Sequence, residues 1–182
     1  MHIDPATALL ASARQVLSPH FDARPKGSAA ELMVVHGISL PPGEFGGAWI
    51  DQLFTGSLDV YAHPSFREVA ELRVSAHALI RRGGQVVQYV PFSERAWHAG
   101  ESSYEGRSAC NDFSMGIELE GTDDLAYEDA QYESLARLIQ ALLAAYPSLS
   151  RERLVGHSDI APGRKTDPGS AFSWERLRRL LA

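Results

Sequence analysis

Two short apolar runs each end on a histidine, and this pairing limits the folds open to the chain more than any other feature. Leu32 to Val35 runs into His36, and the length of the run together with its paired valines favours a buried strand over a helix. Leu154-Val155-Gly156 ends in the same way at His157. The segment after His157, from Ser158 through Asp159, Pro162, Arg164, Lys165 and Asp167 to Pro168-Gly169, is dense in proline, glycine and charge. A loop of that composition is not a packing element. The chain therefore uses two strands to carry imidazoles to their ends and places a charged loop beside one of them.

The remaining pattern supplies a sheet and its cover. Val74 to Ile80 and Val86 to Val90 flank Gly83-Gly84, which predicts a hairpin. Ile117 and Leu119 alternate with Glu118 and Glu120, so both carboxylates fall on one side of a short strand. Leu135, Leu138, Ile139, Leu142, Leu143 and Tyr146 share one helical face, and Pro147 stops the helix. A last helix is expected after Ser173 as N-cap, packing Leu177, Leu180 and Leu181. The N-terminal segment reads two ways, with Asp4-Pro5 resembling a helix start and Ser18 to Pro25 an extended chain. Residues 37–71 form a long stretch containing proline and glycine, and loops of that length usually border a site or carry small elements of their own.

Composition excludes several classes. The 182 residues carry 17 Lys+Arg against 23 Asp+Glu, a net charge of −6, which offers no electrostatic footprint for nucleic acid. No apolar run approaches the roughly 20 residues that span a bilayer, and Met1 to Gln15 lacks the basic and apolar parts of a secretory leader. A single cysteine, Cys110, cannot close an intramolecular disulfide and fits a reducing compartment. The expectation is one cytoplasmic domain over residues 1–182, without repeats or low-complexity segments.

A strand-end His36, a strand-end His157 and a nearby acid form the ligand type of an open zinc site, which keeps its fourth position for water. Spacing alone leaves open whether these histidines are ligands or ordinary buried residues. Longer segments decide more. Trp97-His98-Ala99-Gly100, Asn111 to Gly121 and Gly156 to Gly169, with Ile38 to Gly47, Leu53-Phe54-Thr55-Gly56 and His63-Pro64-Ser65-Phe66 inside the long loop, appear in one order along the chain. On these markers the sequence resembles the zinc-dependent N-acetylmuramoyl-L-alanine amidases of type 2, and within them the AmpD-type 1,6-anhydro-N-acetylmuramyl-L-alanine amidases, from about Ser18 to Trp174.

The resemblance implies an α/β domain with a central mixed β-sheet flanked by helices, and a zinc ion at the strand ends under the loop at 37–71. By resemblance, His36, His157 and Asp167 fall on the zinc ligands, Glu118 on the catalytic acid/base and Lys165 on a donor to the developing oxyanion. Alternation also places Glu120 beside Glu118, and only the family position favours Glu118. Gly37, His98, Trp97, Arg73 and Arg107 are candidate substrate contacts, the two arginines as bidentate partners of stem-peptide carboxylates. Two departures stand out. Gly37 occupies the place where relatives usually have asparagine, which puts pocket detail in question, and Ser158 replaces a common cysteine.

The implied reaction is hydrolysis of the amide joining the lactyl group of 1,6-anhydro-N-acetylmuramic acid to L-alanine, in cytoplasmic peptidoglycan recycling. The expected partner is an anhydromuropeptide, with no nucleic acid, membrane or obligate protein partner. Alternatives are a broad muramoyl-L-alanine amidase and a non-catalytic peptidoglycan-recognition module.

Overall fold

A computed structural model describes residues 1–182. In chain order the elements are β1 (Arg14–Gln15), β2 (Phe21–Asp22), β3 (Leu32–Ile38), α1 (Trp49–Thr55), a 3-10 turn over Pro64–Glu68, β4 (Ala78–Ile80), β5 (Val86–Gln88) and β6 (Arg95–Ala96). The chain continues with β7 (Ser103–Tyr104), β8 (Arg107–Ser108), a 3-10 turn over Cys110–Asp112, β9 (Ser114–Glu120), α2 (Asp129–Ala145), β10 (Leu154–Gly156), α3 (His157–Ile160) and α4 (Trp174–Leu181). Six strands make one mixed sheet in the order β1-β5-β4-β9-β3-β10. Only the β4/β5 hairpin is antiparallel; β1/β5, β4/β9, β3/β9 and β3/β10 are parallel. The fold is α/β, with helices packed on a central mixed sheet.

Strand alternation gives the sheet two different faces. On one, Met33 and Val35 of β3, Ala78 and Ile80 of β4, and Met115, Ile117 and Leu119 of β9 pack with Leu135, Leu138, Ile139 and Leu142 of α2 and Leu177 and Leu181 of α4. The other face carries two separate apolar patches. Leu79, Val87 and Tyr89 are covered by Ile50, Leu53, Phe54 and Phe66 of the long loop. Leu32 and Val34 are covered by Ala99, Cys110, Phe113 and Ile160. Between the patches the strands present polar side chains, and the site lies there.

Helix α2 ends at Ala145, two residues before Pro147, and its start is tied to the sheet. Gln131 accepts from the Glu128 N–H at 3.0 Å and donates to the carbonyls of Ile80 and Glu120 at 3.2 and 3.0 Å. Ser173 caps α4 by accepting from the Arg176 N–H. Three expectations change. Leu180 is 40% exposed, because Leu177 and Leu181, one turn apart, already define the buried face of α4. Asp4-Pro5 opens a turn, with Asp4 Oδ1 accepting from Ala6 N–H, and the segment does not continue into a helix. The hairpin strands are shorter than their apolar runs, since Ser75 and His77 give their N–H groups to the carbonyls of Trp97 and Gly116 instead of to β5. The stretch 37–71 holds α1 and a 3-10 turn.

Candidate metal centre

The parallel register of β3 and β9 sets His36 directly opposite Glu118, and that of β4 and β9 sets Leu79 on the other side of Glu118. His157 starts α3 immediately after β10, the strand on the far side of β3. The charged loop then returns: Ser158 N–H donates to the Asp167 carbonyl at 3.0 Å, which brings the Asp167 carboxylate back beside both imidazoles. Three residues distant in sequence thus meet at one point of the sheet.

Their facing atoms form a tight triangle. His36 Nδ1 lies 2.9 Å from His157 Nδ1 and 3.3 Å from Asp167 Oδ2, and His157 Nδ1 lies 3.1 Å from the same oxygen. The far nitrogen of His157, Nε2, sits 3.2 Å from the Ala99 carbonyl. A carbonyl only accepts, so Nε2 carries the ring proton and Nδ1 turns a lone pair into the triangle. Two imidazole lone-pair positions and a carboxylate oxygen at this spacing repel one another unless a cation sits among them. Ligands about 2.0 Å from a tetrahedral zinc stand about 3.3 Å apart, close to the observed edges. The residues fit a metal ion.

Electrostatics agree. Burial lowers the His36 pKa to about 4, partly offset by the neighbouring Asp167 carboxylate, so the ring is neutral, the form that binds metals. At Asp167 burial acts to raise the pKa, but the neighbouring imidazoles of His157 and His36 outweigh it and hold the carboxyl well below its ordinary range. Glu118 moves the other way. Burial raises its pKa well above the usual value, the charge of Asp167 raises it further, and Lys165 opposes both. Its Oε2 is buried with no hydrogen-bond partner. An unpartnered carboxylate oxygen beside a triangle of metal-ligating atoms is placed to exchange a proton. Lys165 itself is exposed at the rim, and its charge reaches both Glu118 and His36.

Glu120 shares the strand face with Glu118 and has a different fate. It is 2% exposed, and it accepts from Arg81 at 2.9 Å, Arg82 N–H at 3.1 Å and Gly46 N–H at 2.7 Å. Both its oxygens are engaged, so Glu120 anchors the long loop to the hairpin.

His98 joins the site, with Nδ1 2.9 Å from His36 Nε2. Trp97 is half-buried beside it, stacked on His20 and donating to Asp22. Gly37 contributes its backbone, with N–H 3.4 Å from Asp167 Oδ2, and a Cβ at this position would run into Tyr127 Oη, which donates to the Pro168 carbonyl at 3.0 Å. Arg73 is exposed and makes no ion pair. Arg107 pairs with Glu31 at 2.8 Å and lies over the Phe113 ring. Sequence reasoning missed Asn111, Ser114 and Tyr127, whose polar groups lie in turns and strand starts where no periodicity marks them.

Comparison with known proteins adds an independent observation. The family model described as N-acetylmuramoyl-L-alanine amidase matches residues 26–170. The chain belongs to this amidase family. Among similar members, the 1,6-anhydro-N-acetylmuramyl-L-alanine amidase AmpD of Escherichia coli (strain K12) is 63% identical over 173 residues, covering 95% of this chain and 94% of that protein. The crystal structure of a selenomethionine AmpD derivative matches with a TM-score of 0.96 at 60% identity, over 100% of both chains. A more distant structure, AmpDh3 from Pseudomonas aeruginosa in complex with anhydromuramic pentapeptide, matches with a TM-score of 0.61 at 30% identity, over 83% of this chain and 59% of that one.

Proposed function

We propose that this amidase uses a zinc ion held by His36 Nδ1, His157 Nδ1 and Asp167 Oδ2 to hydrolyse the amide between the lactyl group of 1,6-anhydro-N-acetylmuramic acid and L-alanine. Near-full-length similarity to relatives named for that substrate supports the anhydro specificity. The observation that carries the chemistry is the buried, unpartnered Oε2 of Glu118 opposite His36.

When bound, zinc supplies Lewis-acid chemistry, acidifying water toward neutral pH and polarising the scissile carbonyl. Glu118 takes the proton of the attacking water and returns it to the departing amine of L-alanine, and its burial in a poorly solvated position keeps the proton on the carboxyl between the two steps. Lys165 donates to the oxyanion that develops on the carbonyl. The products are an anhydromuramyl saccharide and a free stem peptide. We assign the reaction to the cytoplasm, where the lone reduced Cys110 is at home and recycled muropeptides are processed.

Mass spectrometry of products from matched anhydro and non-anhydro muropeptides tests the reading. The expected result is cleavage between the lactyl group and L-alanine, faster on the anhydro substrate. Equal rates on both would support a broad muramoyl amidase instead.

A further inference from the structure

We infer that the His98-Ala99 segment, standing on Gly116 and held by Asn111 and Ser114, is a positioning device that presents both imidazoles to the metal with Nδ1 bare. The inference rests on the zinc reading of the His36, His157 and Asp167 triangle and concerns residues outside that triangle.

The chain of hydrogen bonds has one direction. Ser114 Oγ reaches both the Cys110 carbonyl and His98 Nε2, the latter at 3.0 Å. The carbonyl can only accept, so the hydroxyl proton points to Cys110 and the hydroxyl lone pair faces His98. His98 Nε2 therefore carries a proton. In the neutral tautomer with its proton on Nε2, this half-buried ring has Nδ1 as its acceptor. The group 2.9 Å away, His36 Nε2, must then donate, which leaves His36 Nδ1 as a lone pair aimed into the triangle. The residue next to His98 does the same for the second imidazole, because the Ala99 carbonyl accepts from His157 Nε2. That carbonyl is itself fixed by the Arg164 guanidinium at 2.6 Å.

One side chain holds the two adjacent residues in place. Asn111 Oδ1 accepts from the N–H of His98 at 3.0 Å and of Ala99 at 2.8 Å. Below them, a Cβ at Gly116 would collide with the ring of His98, so only glycine on β9 lets the imidazole lie against the strand. Two consecutive residues, one amide, one hydroxyl and one glycine thus set the proton positions of both metal-facing histidines. Outer partners of this kind are worth about 10- to 100-fold in metal affinity.

The test has two parts, and neither reads activity. In the zinc-loaded wild-type protein, nitrogen-15 NMR of the imidazoles is expected to find protons on Nε2 of His36, His98 and His157. In chelator competition, Ser114→Ala and Asn111→Ala are expected to bind zinc about 10-fold more weakly or worse, while Asn111→Asp, which keeps the acceptor oxygen, and Ser134→Ala, whose hydroxyl bonds the Gly84 carbonyl on the helix-covered side, bind as the wild type does. A proton on Nδ1 of His98 or His36 would overturn the inference without any variant. So would wild-type affinity in both Ser114→Ala and Asn111→Ala. Zinc affinity that survives Asp167→Ala unchanged would instead overturn the ligand assignment itself.

Discussion

The face of the sheet under α2 and α4 and the face that carries His36 are made by alternate residues of the same strands, and they solve opposite problems. Under the helices, Met33, Val35, Met115, Ile117 and Leu119 meet leucines and isoleucines in one continuous apolar cluster. On the other face the apolar cover breaks into two patches, and His36, Glu118 and Glu120 fill the seam between them. The helix-covered face is a continuous apolar core; the seam gathers buried polar side chains. Within the seam a second contrast appears, because Glu120 has both oxygens engaged whereas Glu118 keeps Oε2 unpartnered.

The comparison breaks if a variant on one face behaves like a variant on the other. The largest expected stability effect lies under the helices: Leu138→Ala, at a fully buried position, should lower unfolding free energy by about 2–5 kcal/mol while leaving kcat per folded molecule unchanged. Urea denaturation paired with active-site-normalised kinetics checks both halves. Next comes Glu120→Gln, which leaves Arg81 with a weaker partner and a buried donor poorly matched; a loss of about 1–3 kcal/mol in the same denaturation assay is expected, again with kcat retained. A dead but stable Glu120→Gln would move the chemistry to that residue.

A smaller effect, of opposite sign, is expected at Glu118. Its folded pKa is raised above the ordinary 4.5, so the folded protein holds this proton more tightly than the unfolded chain does. That contribution is complete below pH 4.5 and is lost as pH rises through the folded value. The metal-free Glu118→Gln protein escapes the loss and should melt above the wild type at neutral pH, with the gap closing toward pH 4.5. Thermal melts across that range that run parallel would contradict it. Smallest is the arginine comparison. Arg73→Ala should raise KM severalfold for muropeptides with free stem carboxylates and less for amidated ones, whereas Arg107→Ala, paired with Glu31, should leave both unchanged.

Much of this division is legible in the sequence. The period-2 pattern of Ile117 to Glu120 separates the two faces, the Leu135 to Tyr146 stripe identifies the covering helix, and the two strand-end histidines identify the seam. The divergent fates of Glu118 and Glu120 are not legible, because they depend on Arg81 and Gly46, brought in from the hairpin and the long loop by tertiary contact. The Arg107–Glu31 pair is hidden for the same reason, because the two meet only when β8 folds over the start of β3. The support of His98 is hidden as well, since Asn111 and Ser114 act through single hydrogen bonds that leave no periodic trace. Leu180 shows the limit of apolar pattern in a short helix, where two of three leucines suffice for docking.

The central claim is that metal binding and proton transfer reside in different residues of one seam. Zinc content and kcat measured on the same preparation of Glu118→Gln test it most directly. About one zinc per chain with kcat reduced by about 100-fold or more is the predicted result. Zinc at that level with wild-type kcat would contradict it.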